Sequence, residues 1–171
     1  MTTPPHFIAD RWQAHELHEA DVPALQRFFD ANPLYFRSVN GREALPDEAR
    51  SEFDDLPPAG MPYSRKWVLK IVDETGAYAA MAYLLADFLA PRVWHIGLYI
   101  VETALHGSGA ARTIYQAMED WIARSGGEYI RLGAVSAMRT LSASGPAAVT
   151  ARCAAASTCR AACAATTCMS T

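Results

Sequence analysis

The chain has 171 residues, a formal net charge of −3 and 51% hydrophobic residues, which suits one domain, or one domain with a tail, around a real core. All acidic residues fall at or before Glu128, so the body is acidic and carries no Lys/Arg block; this argues against a general nucleic-acid binder. No apolar run is long enough to cross a membrane, and "MTTPPHFIAD" lacks a basic region followed by an apolar stretch, so the expected location is the cytoplasm.

Residues 6–135 read as an α/β domain. "HEADVPALQRFFDANP" is a helix that begins at Asp21 and has Pro23 in its first turn. Val22, Leu25, Phe28 and Phe29 share one of its faces, and Asn32-Pro33 stops it. "PDEARSEFDD" reads as a short acidic helix from about Asp47, and "DLPPAGMPYS" as a loop. "KWVLKIVDE", a Thr75-Gly76 turn and "AYAAMAYLLADFL" form a hairpin from about Trp67 to Leu85. After Pro91, "RVWHIGLYIV" is another strand. "GSGAARTIYQAMEDWIARSGG" is a helix with a buried stripe of Ile114, Met118, Trp121 and Ile122, and "EYIRLGAV" is the strand after it. A strand, a Gly loop, a helix and a strand in that order imply two neighbouring parallel strands.

The loop between strand and helix carries the chemistry. Gly107 and Gly109 let backbone approach a ligand closely, and free amides at the helix start favour an anion such as a phosphate or pyrophosphate. There is no GK[ST], so this is not a P-loop, and a dinucleotide fingerprint needs another glycine and a downstream acid. Read alone, the stretch also fits a plain glycine turn that caps a helix.

The stretch His106-Gly107-Ser108-Gly109-Ala110-Ala111 resembles motif A of the GNAT N-acetyltransferases, Q/R-x-x-G-x-G/A after a strand. "MPYSRKW", "VWHIGLYIV" and "LHGSGAAR" also resemble a bacterial branch of that family, and the resemblance covers roughly residues 14–135. It implies an α/β (α+β) fold, with a mixed central sheet flanked by helices that splays beside the loop and holds acetyl-CoA in the gap. It implies pyrophosphate contacts from residues 106–111, that is His106, Gly107, Ser108, Gly109, Ala110 and Ala111. It also implies backbone contacts to the acetyl and pantetheine parts near Val101 and Thr103. His106 departs from the usual Gln or Arg. The expected reaction is acetyl transfer to a primary amine of a small molecule or peptide; the alternative is a non-catalytic acyl-CoA or phosphate-binding module. Family members are often dimers, so a homodimer stays open. The acidic Asp47–Asp55 segment is compatible with a cationic acceptor or with solvated surface.

Glu102, at the end of the strand, is the candidate base; its other reading is a solvated charge. His95 alternates to the face opposite Glu102 and reads as a strand histidine. His6, His15 and His18 have no metal spacing and read as surface residues, while Trp94 and Trp121 read as core.

The composition changes after Val135. Residues 137–171 contain no Ile, Phe, Tyr, Trp, Asp or Glu, so residues 136–171 are expected to form a poorly packed tail. Read one nucleotide out of phase, with free wobble bases, Ser136–Cys153 can encode V-G-N-A-H-A-E-R-F-W-A-R-C-G-Y-R-E-V. That resembles the family's Asn-rich turn, aromatic helix and Gly-Tyr segment, and points to a reading-frame shift near Val135–Ser136. The expected consequences are an exposed apolar face near Ile130 and Leu132, low solubility and impaired turnover. Cys153, Cys159, Cys163 and Cys168 have no CxxC pair and no nearby histidine, so no metal is expected.

Overall fold

The computed structural model describes residues 4–133 and 148–152, the last five as backbone only. The chain runs β1 (Phe7–Ala9), β2 (Trp12–Glu16), α1 (Val22–Ala31), α2 (Pro33–Asn40), α3 (Glu48–Asp54), β3 (Arg65–Val72), β4 (Tyr78–Ala86), β5 (Val93–Val101), α4 (Ala110–Arg124), β6 (Tyr129–Gly133) and β7 (Ala148–Arg152). The seven strands form one sheet in chain order. Every neighbouring pair is antiparallel except β5 and β6, which are parallel and joined through α4.

A core lies on each face of the sheet. On one face the α4 stripe of Ile114, Met118, Trp121 and Ile122 packs against Leu69, Ile71, Leu84, Trp94 and Ile96. On the other, Leu25, Phe28 and Phe29 of α1 and Phe36 of α2 pack against Val68, Met81, Leu85, Leu98 and Ile100. The periodic positions read from the sequence are thus the buried ones. Among the described residues, no helix is long and apolar enough to cross a membrane.

The structure departs from expectation at several points. The first helix ends at Asn32-Pro33 as expected, but Pro33 also opens α2, an unexpected helix, at its first position, where a missing N–H costs nothing. His6 is not merely on the surface: its ring meets the Trp67 ring at 4.9 Å and the Trp121 ring at 5.5 Å. The apolar sheet face expected to be exposed near Ile130 is covered, because Ile130 joins the core under α4 and is 1% exposed. Leu132 packs, half-buried, against the same core. β7 pairs with β6 along its outer edge. The tail of 136–171, its cysteines and the frame-shift reading otherwise lie outside the described residues.

The register of β5 positions everything that follows. Tyr83 pairs with Leu98 but Leu84 pairs with Ile96, so Gly97 is the extra residue of a β-bulge. A Cβ at Gly97 would meet ring carbons of Tyr83 at 2.6 and 2.8 Å, which leaves no room for another residue. The bulge inverts the alternation of faces: Trp94 and Ile96 point into the α4 core, whereas Leu98 and Ile100 point into the other. His95 and Glu102 therefore share a parity, and the expectation of opposite faces is corrected.

Candidate functional site

Two features converge after the bulge. The first is a gap in the sheet. β5 and β6 pair only from Val93–Tyr129 to Ile96–Leu132, so among the described residues Gly97–Val101 has a strand partner on one side alone. The Glu102 amide donates to the Ala79 carbonyl at 2.8 Å. That fixes Glu102 and Ala79 as a bonded pair, so Val101, opposite Ala80, directs its N–H and C=O away from β4 and into the gap.

The second is the loop from Glu102 to α4. Gly107 and Gly109 adopt φ of +77° and +88°, and neither has any atom within 4 Å of where a Cβ would stand. Glycine is required there by backbone conformation, and the space beside it is open. Gly109 is the residue that caps α4. Among the described residues, the amides of Gly107, Gly109, Ala111 and Arg112 have no acceptor. They form a donor cluster at the positive end of a 15-residue helix.

Each expected site residue has a distinct position. Ser108 Oγ donates to the Leu105 carbonyl at 2.7 Å and accepts from the Ala110 amide at 3.2 Å. It shapes the turn, and the Ala110 amide is already satisfied. Ala110 is buried against the sheet, which lets the helix start lie close to it. His106 Nε2 is 3.1 Å from the Val101 carbonyl; a carbonyl only accepts, so the proton sits on Nε2. This contact folds the loop back onto the strand end. Glu102 is half-buried, and its carboxylate has no ion pair or hydrogen bond among the described residues. Thr103 is exposed, but its amide and hydroxyl both donate to Asn32 Oδ1, at 2.7 and 2.9 Å.

Three residues were not read from the sequence as part of the site. Asn32 ties the loop to the α1–α2 corner. Tyr99 donates from its hydroxyl to the Ala111 carbonyl at 2.8 Å and so pins the first turn of α4 to β5. Arg112 is an exposed cation in that first turn, which has no acidic residue. A cation there opposes the helix dipole, an unfavourable pairing that is visible in the sequence. Among the described residues, no group of three or more His, Cys, Asp or Glu side chains could hold a metal.

His95 faces away from this cluster. Its ring stacks on Phe88 at 4.9 Å and 22°. Burial, chiefly, and the neighbouring Arg131 cation hold its pKa below the usual histidine value.

Comparison with known proteins agrees with this fold. The model of the acetyltransferase (GNAT) family matches residues 25–141. A GCN5-related N-acetyltransferase from Kribbella flavida is similar at 24% identity over 73% of each chain, with a TM-score of 0.53. An acetyltransferase from Salmonella typhimurium that modifies the N-terminal serine of 50S ribosomal subunit protein L7/L12 is 17% identical over 74% of this chain and 73% of its own, with a TM-score of 0.55. Spermidine N-acetyltransferase from Vibrio cholerae, solved in complex with CoA and spermine, is 14% identical over 71% of this chain and 70% of its own, with a TM-score of 0.52. No curated protein matches the sequence. At these identities the structures speak for the fold, and the family model, which spans more than half of the chain, places the protein: it belongs to the GNAT acetyltransferase family.

Proposed function

We propose that this chain transfers the acetyl group of acetyl-CoA to a primary amine carried by a small molecule or a peptide. The observation that carries the reading is the donor cluster at the start of α4, set beside the half of β5 that β6 leaves unpaired. The free amides of Gly107, Gly109, Ala111 and Arg112 suit the CoA pyrophosphate, and the Arg112 guanidinium adds charge. The Val101 amide, turned into the gap, suits the thioester oxygen. Ser108, Ala110 and His106 shape and brace the loop, and Thr103 anchors it.

The chemistry needs few groups. The lone pair of a neutral amine attacks the thioester carbonyl carbon and forms the C–N bond. Negative charge gathers on the carbonyl oxygen, where the Val101 amide stabilises it. The C–S bond then breaks, and its electrons leave with the CoA sulfur, which takes up a proton from water. The proton shed by nitrogen passes to the Glu102 carboxylate, directly or through water. Glu102 follows the end of β5 and has no competing cation, which supports this role.

The test incubates the protein with acetyl-CoA and a panel of polyamines and peptides with free N-termini, following thiol release and acceptor mass. The expected result is thiol release that depends on the amine, with one acetyl group gained by the acceptor. Binding of CoA without transfer would indicate the binding module instead, and absence of CoA binding would remove both readings.

A further inference from the structure

We propose that Asn32 is a positioning residue for the acetyl-CoA loop, holding the Glu102–Gly109 turn in place from the other side of the sheet; the proposal rests on the acetyltransferase reading above. Asn32 is 1% exposed and stands between α1 and α2, as the last cap of one and the first of the other. Its orientation is set by its partners. The Phe28 carbonyl, which only accepts, lies 2.7 Å from Nδ2. The Thr103 amide, which only donates, lies 2.7 Å from Oδ1, and the Thr103 hydroxyl lies 2.9 Å from the same oxygen. The amide group therefore cannot be reversed without opposing like groups.

Its two ends have different jobs. The Nδ2 end satisfies an orphan carbonyl in the last turn of α1. The Oδ1 end fixes a residue 71 positions away, at the start of the turn that leads to Gly107 and Gly109. The amide immediately before Thr103 is fixed as well, by the Ala79 carbonyl. Glu102 thus sits between two anchors, one in the sheet and one at the helix corner. Sub-ångström placement of such a group matters, since a misplacement of about 1 Å can cost on the order of a hundredfold in rate. The corner that carries Asn32 also packs on the face opposite α4, so this side chain joins the two faces at the proposed site.

A substitution can separate the two ends. Asn32→Asp keeps an oxygen for Thr103 but sets a carboxylate against the Phe28 carbonyl. Asn32→Ala removes both. The control is Phe36→Leu, a buried change in α2 that removes none of the Asn32 hydrogen bonds. Melting temperature, amide hydrogen exchange over residues 103–109, and CoA affinity by calorimetry are measured for each full-length variant, well below its melting temperature. The expected result for Asn32→Ala is faster exchange across 103–109 and CoA affinity weakened by about tenfold, the scale of a lost buried hydrogen bond. Asn32→Asp is expected to melt lower than the wild type while keeping slower loop exchange and tighter CoA binding than Asn32→Ala. Phe36→Leu is expected to melt lower with exchange and affinity unchanged.

Unchanged loop exchange in Asn32→Ala would overturn the proposal. So would faster exchange with undiminished CoA affinity, or a loss of affinity in Phe36→Leu equal to that in Asn32→Ala. If the wild type itself binds no CoA while the loop loosens in Asn32→Ala, the hydrogen-bonded anchor stands, but the acetyltransferase reading fails and takes the positioning role with it.

Discussion

Replacing Gly109 by alanine separates what the protein requires of this residue from what a ligand would require. Gly109 has φ +88°, and a Cβ there meets nothing within 4 Å. The cost inside the protein is therefore conformational alone. An L-residue in the left-handed region costs about 1–2 kcal/mol, and the stiffer unfolded chain of an alanine variant changes stability by roughly 0.4–1 kcal/mol in the opposing sense. The net loss is about 1 kcal/mol, or a fall of about 2–4 °C in Tm for a chain of this size. Gly41 supplies the control: φ is +68°, nothing lies within 4 Å of its Cβ position, and it caps α2 away from the loop. Gly41→Ala should lose a similar amount of stability. Only Gly109→Ala puts a methyl group where the pyrophosphate is proposed to lie, so only it should weaken CoA binding, by more than about tenfold, the equivalent of at least one strong hydrogen bond to a charged group. Thermal unfolding and calorimetric titration with CoA measure both quantities. Equal CoA affinity in Gly109→Ala and Gly41→Ala would refute the reasoning.

Further outcomes follow from other parts of the structure. Glu102→Gln should lower kcat by about a hundredfold or more, with the KM for acetyl-CoA nearly unchanged, if the carboxylate takes the amine's proton; steady-state kinetics of the variant and the wild type measure both. Ile114→Ala removes a fully buried side chain between α4 and the sheet, and urea unfolding should register a loss of about 2–5 kcal/mol. Partial burial, as the first cause, holds His6, His15 and His95 below the usual histidine value of 6.5. The folded state then holds fewer protons than the unfolded chain just below that value, so this contribution to stability is present above it and falls as the pH drops through it. Glu52 and Glu119 are pushed up, chiefly by burial, and act in the opposite sense in the range above 4.5. The specific expectation is that His95→Gln flattens the acid-side loss of stability, checked by urea unfolding between about pH 5 and 8.

The sequence revealed what is periodic and local. The stripes of α1 and α4 and the β3–β4 hairpin were legible because each places apolar residues at a repeat that its own geometry dictates. The glycine loop was legible for a related reason: its conformation demands residues that are themselves visible. β1 and β2 were not, because "FIA" and "WQAHE" are too short for an alternation to stand out. α2 was missed because Pro33 both ends one helix and opens the next, and proline is compatible with either. The bulge at Gly97 depends on a Tyr83 ring across the ladder, and the parity of His95 and Glu102 turns on it. Asn32 read as a helix stop, since nothing local announces a partner 71 residues away at Thr103. Arg112 was readable, as a cation in a helix turn that favours acids. In the proposed site, then, the anion-facing glycines came from local pattern, while the residues that hold them in place came from contacts across the sheet.

Titration of CoA into the isotope-labelled full-length protein, followed by amide NMR, tests the central claim most directly. The account expects saturable shifts concentrated at Gly107, Gly109, Ala111 and Arg112, with a further shift at Val101, and little change around His6 and Trp67, which pack on Trp121 in the last turn of α4. Saturable binding with its shifts elsewhere, or no binding at all, would contradict the assignment of this loop and the sheet gap as the acetyl-CoA site.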